Sequence, residues 1–118
     1  MKKIFLIFTL LFTVTLGASA QSDYNINKAQ QYQREAKFYQ RQADERRRSA
    51  DYYLRKAKAN ENEAAYYYSK GKYDTARMYS NTAAEMMERY RMRMNWAKND
   101  DEKAAMYMRW AAQIYNKR

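Results

Sequence analysis

Any chemistry done by this chain would have to come from carboxylates, ammonium and guanidinium groups, hydroxyls and phenols, because its 118 residues include no His and no Cys. That removes the imidazole that moves protons near neutral pH, the thiolate nucleophile and the usual zinc ligands. The remaining metal ligands are scattered carboxylates. The densest of them, Asp44-Glu45 and Asp100-Asp101, read as solvated or helix-capping groups. No nucleophile is matched with a candidate base. No catalytic, cofactor-binding or metal-binding residue is expected, and the chain is not expected to be an enzyme.

Two other patterns point to recognition. Arg34, Arg41, Arg48 and Arg55 recur every seven residues, and Arg46-Arg47-Arg48 thickens that series. Such a stripe is either a solvated face or a docking strip for phosphate or sulfate groups. The second pattern is apolar: Phe38, Tyr52, Tyr66, Met78, Met92, Trp96, Met106 and Trp110 are spaced so that a helix would gather them on one side.

A helical scaffold to hold both patterns is written along the chain. After residue 20 there is no Pro and a single glycine, Gly71, while Ala, Arg, Lys, Gln, Glu and Met are abundant. Ala29, Ala36, Ala43, Ala50, Ala57 and Ala64 recur at seven-residue steps, each followed three positions later by Tyr32, Tyr39, Arg46, Tyr53, Asn60 and Tyr67. Small residues at a with mostly Tyr at d make a heptad seam in which a second helix can approach closely. The next step lands on Gly71. The pattern then resumes out of phase at Ala76, Ala83, Tyr90, Ala97, Ala104 and Ala111, with Tyr79, Met86, Arg93, Asp100, Tyr107 and Ile114 at d.

A phase jump at the glycine, with Asp74 suited to cap a following helix, predicts a turn near 70–73. The expected fold is therefore all-α, a long antiparallel two-helix hairpin with helices over Tyr24 to Lys70 and Asp74 to Lys117. Folding about the turn pairs residues whose numbers add to about 143, which sets Ala36 against Tyr107 and Ala104 against Tyr39. The segments Lys98 to Glu102 and Asn60 to Glu63 resemble helix ends, but the heptads run through both, so continuous helices are expected. On this frame the arginine stripe occupies f, directly away from the seam. The aromatic and Met residues fall at c and g, on one lateral face. Arg46, Arg93 and Asp100 interrupt the seam at d and are expected to form a polar layer that fixes register, with Arg46 near enough to Asp100 to pair.

The first 20 residues read as a secretory signal peptide, with Lys2 and Lys3, an apolar run from Ile4 to Leu16, and the small-residue site Ala18-Ser19-Ala20 before Gln21. This predicts an exported product, periplasmic or extracellular, comprising one domain over 21–118. Of its 23 basic residues the chain would lose Lys2 and Lys3, leaving 21 against 13 acidic ones, a net charge of +8. For an exported protein the anionic partners this suggests are phospholipid head groups, lipopolysaccharide, acidic glycans or unfolded acidic proteins, with no nucleic acid expected.

The turn sequence YYSKGKYDTARMYSNTAA, with Tyr67, Gly71, Tyr73, Ala76, Tyr79 and Ala83, resembles the middle of a tetratricopeptide repeat. The likeness covers about residues 64–84 and implies close helix packing and a protein-binding role. A signal peptide followed by a small basic helical chain is also similar in profile to periplasmic chaperones of the Skp type, with no shared motif. The functions expected are thus a non-catalytic interaction protein that self-associates through its aromatic and Met face, a holdase for unfolded clients, or a cationic helical protein at an anionic membrane or glycan surface.

Overall fold

A computed structural model describes residues 23–116. The signal peptide expected over 1–20 and the last two residues lie outside the described part. Two helices, α1 (Asp23–Ser69) and α2 (Tyr73–Asn116), pack as an antiparallel hairpin, and the described residues contain no strand. Helix α1 is unbroken across 60–63 and α2 across 98–102, as the heptads require.

The reversal between them is a glycine C-cap. Gly71 has φ +77°, a conformation that costs a residue with a side chain about 1 kcal/mol or more. Its N–H donates to the carbonyl of Tyr68 at 3.0 Å, and the N–H of Lys72 donates to the carbonyl of Tyr67 at 3.0 Å. These are the two bonds of a Schellman motif, which satisfies carbonyls a helix end would otherwise leave open. The Lys72 carbonyl then accepts from the N–H of Ala76 at 3.0 Å, so Lys72 starts α2 as well as ending the turn. Asp74, expected as the cap, lies inside the first turn of α2. There its carboxylate still faces the positive end of the helix and meets Arg77 at 3.3 Å.

The hairpin divides into two compact units, each with its own packing. The first joins residues 23–41 with residues 100–116. Its centre is Ala36, Ala104 and Met108, covered by Tyr39 and Tyr107. Tyr39 and Tyr107 stack with centroids 5.9 Å apart and planes 8° from parallel, and Tyr32 meets Tyr107 in a tilted contact at 5.9 Å. The second unit, Gln42–Asn99, buries Ala43, Ala50, Ala57, Ala76, Ala83 and Ala97. In it Tyr67 stacks on Tyr79 at 5.4 Å. Both stacked pairs join d residues of facing helices, about three residues off the a-to-d register and as close to it as two d positions can come. Every alanine at a is buried except the partly buried Ala64, and every d residue is at least partly buried.

The core is wider than the a/d seam. Met108, at e, is only 3% exposed, and Leu54, Met87 and Met94 at e are partly buried. Alanine at a lets the two backbones approach closely, which draws the flanking e side chains into cover. Leu in place of Ala50 or Ala104 is expected to overpack this core at a cost of about 1 to 3 kcal/mol. Leu in place of Arg41, exposed at f, should change stability by less than about 0.5 kcal/mol. Urea unfolding of the three variants tests the heptad phase, and equal losses at both kinds of site would refute it.

Candidate functional site

Aromatic doublets recur along α1 at 14-residue spacing: Phe38-Tyr39, Tyr52-Tyr53 and Tyr66-Tyr67. In each, the ring at c meets the ring at d edge-on, with centroids 5.2, 5.2 and 5.1 Å apart and planes near 80°. The d ring belongs to the core, and the c ring stands braced against it. Phe38, Tyr52 and Tyr66 remain 49, 53 and 54% exposed. This is much apolar surface in a fixed orientation, at little entropic cost to a partner.

Each unit carries its own part of this face. In the first, Phe38 is accompanied by partly buried Met106 and by Trp110, 38% exposed. Trp110 also packs within the hairpin, 5.4 Å from Tyr32 and 5.3 Å from Tyr107. In the second, Tyr52 and Tyr66 share the c and g positions with Met78, Met92 and Trp96, all exposed. Lys56 lies over the Tyr52 ring at 5.6 Å and Lys70 over the Tyr66 ring at 5.5 Å, one turn on in each case. Trp110, and Trp96 through its contacts with Arg46 and Arg93, are therefore partly claimed by their own hairpin, while Phe38, Tyr52, Tyr66, Met78 and Met92 are mainly surface.

The arginines divide into two populations. Arg34, Arg41, Arg48 and Arg55 are exposed at f, and Arg55 forms an ion pair with Asp51. Arg46 and Arg47 do not thicken that stripe, because consecutive helix residues point about 100° apart. Arg47 turns to Asp44 at 2.7 Å with most of its side chain covered. Arg46, at d, lies over the Trp96 ring at 5.2 Å. Arg93 sits 4.5 Å over Tyr53 and 5.6 Å from Trp96, and Arg89 covers Tyr53 at 5.8 Å. The arginines at the seam of this unit thus have aromatic partners. Asp100, in the other unit, is buried at 4% exposure. Among the described residues no buried side-chain nitrogen or oxygen lacks a hydrogen-bond partner.

An open groove of about 450 Å³ on α2 is lined by Glu85, Glu88, Arg89, Met92, Arg93 and Trp96. Its carboxylates and guanidiniums balance, and Glu85 is 3.4 Å from Arg89. A second groove, about 400 Å³, lies at the turn beside Tyr68 and Tyr73. No three carboxylates come together as metal ligands among the described residues, and no described helix is long and apolar enough to cross a membrane.

Three further exposed rings lie outside the face expected from the sequence. Tyr68 and Tyr73 flank the turn at e and touch edge-on at 5.1 Å. Tyr24, also exposed, sits 14 residues before Phe38, so the doublet spacing itself could have found it. Comparison of the chain with protein-family models, with curated proteins and with solved structures finds no match.

Proposed function

We propose that this chain is a non-catalytic, exported helical protein that works by interaction, assembling with further copies of itself through the c and g face. The observation that carries the reading is the set of braced, half-exposed rings at 38, 52 and 66, with Met78, Met92 and Trp96 exposed at c and g. Exposed apolar surface of this kind, present within each unit, marks a contact site. The absence of His and Cys from the sequence supports a role without catalysis. Lys2-Lys3, the apolar run and Ala18-Ser19-Ala20 support export, with a product starting at Gln21.

Sedimentation of the 21–118 chain at micromolar concentration is the direct test. A mass above that of one chain, unchanged by added salt, is expected of an apolar contact. A strictly monomeric protein would sink the self-association reading and move the same face to unfolded clients, the holdase alternative, which suppressed aggregation of a denatured protein would reveal. The exposed Arg34, Arg41, Arg48 and Arg55 favour a separate reading, contact with an anionic membrane or glycan surface. Binding of that kind should weaken steeply as salt rises.

A further inference from the structure

The outer edges of the two helices carry opposite charge. The f positions of α1 hold Arg34, Arg41, Arg48 and Arg55 and no acid, whereas those of α2 hold Asp74, Glu88 and Glu102 against the single Arg109. All of these residues are exposed. The c and g positions between the edges are close to neutral, with Lys28, Lys56, Lys70, Arg89 and Lys103 against Glu35, Glu45, Glu63 and Glu85. A chain with excess positive charge has therefore kept that excess off its apolar face. A polyanion gains nothing there, and a second copy meets no net repulsion.

Resting on the self-association reading above, we infer that the partner on this face is a second copy related by a twofold axis along the helices, so that α1 lies over the partner's α2 and turn lies beside turn. Two copies facing through c and g can be related by an axis along the helices or one across them. An axis across the helices lays α1 over the partner's α1, bringing two arginine edges together. An axis along them lays the basic edge of α1 beside the acidic edge of the partner's α2. In the 42–99 unit the register sets Arg55 level with the partner's Glu88, and Tyr52 and Tyr66 level with the partner's Met92 and Met78, where sulfur can meet ring. In the 23–41 and 100–116 unit the same register sets Arg41 level with the partner's Glu102 and Phe38 level with the partner's Met106, while Arg34 falls level with the partner's Arg109, so the charge match there rests on Arg41 and Glu102. Within one hairpin the f edges point away from each other, so Arg55 and Glu88 have no reason of their own to match. Exposed ion pairs add little affinity, but like-charge edges penalise the wrong arrangement, and so the pattern selects orientation.

Charge exchange tests this. R55E or E88R should weaken the dimer about three- to tenfold at low salt, since each variant turns two attractive pairs repulsive. An equimolar mixture of the two variants should form mixed dimers with affinity within about twofold of the native protein, because both pairs are then complementary. The double variant R55E/E88R should do the same. R55E tightening the dimer would overturn the orientation, because it would show Arg55 facing arginine. So would a mixture that fails to rescue. R41E with E102R repeats the test in the other unit, and circular dichroism verifies folding at these exposed sites. As the chain lacks Cys, K72C joined by a short bis-maleimide gives a second readout: efficient cross-linking of the dimer is expected, and its absence in a proven dimer would overturn turn-beside-turn packing. A native protein that sediments as a monomer throughout would instead remove the self-association reading, a result distinct from a dimer of the other orientation.

Discussion

Replacing Met108 by Ala is expected to destabilise the hairpin by about 2 to 5 kcal/mol, the range for truncating a buried Met, Leu or Ile to Ala. Met108 is almost fully enclosed and packs with Ala36 and Ala104 under Tyr39 and Tyr107. Its neighbours at a are alanines, whose side chains cannot extend into the vacated space. Tyr39 and Tyr107 are held by their mutual stacking and by contacts with Phe38, Tyr32 and Trp110. Such a site collapses poorly, which places the cost toward the upper part of the range. A small domain has only about 5 to 15 kcal/mol in all, so the variant should show a large fall in its urea midpoint. Met78→Ala is the control, since Met78 is exposed and should matter by about 0.5 kcal/mol or less in the isolated chain. A loss below about 1 kcal/mol for Met108→Ala would show that e positions lie outside the core.

That comparison also marks what the sequence makes legible. Alanine every seven residues identifies a seam because few other arrangements need small residues at that interval, and one glycine at the phase jump identifies the turn. The hairpin, its register and the continuity of both helices follow from those two features. Methionine is less informative, since Met78, Met92, Met106 and Met108 are the same residue type with different burial. How close the backbones come decides which of them is covered, and that is a property of the folded pair. The arginines show the same limit. Arg46, Arg47 and Arg48 are adjacent in the chain, yet one lies on Trp96, one bonds Asp44 and one faces outward. Helical phase accounts for that separation. The stacking of Arg46 and Arg93 on rings depends on where Trp96 and Tyr53 point, which heptad letters do not encode.

Replacing Phe38, Tyr52 and Tyr66 together by Ser is expected to dissociate the assembly while leaving the hairpin folded. Each ring is about half exposed, so covering it removes on the order of 100 Å², and a symmetric dimer covers six of them. At about 25 cal/mol per Å² that is of order 15 kcal/mol gross, to be set against about 4 to 15 kcal/mol lost in immobilising two chains. No other group on this face can offset such a loss, so the dissociation constant should rise by more than about a hundredfold. Within one chain each c ring touches its d neighbour edge-on, a contact worth about 0.5 to 1.5 kcal/mol, and the d ring keeps its place in the core. The helical signal should persist, with a modest fall in melting temperature. Serines at Trp96 and Trp110 would give a mixed result, because Trp96 also holds Arg46 and Arg93 and Trp110 packs on Tyr32 and Tyr107. The triple variant separates association from folding, and a sedimentation profile identical to that of the native protein would exclude these rings from the contact.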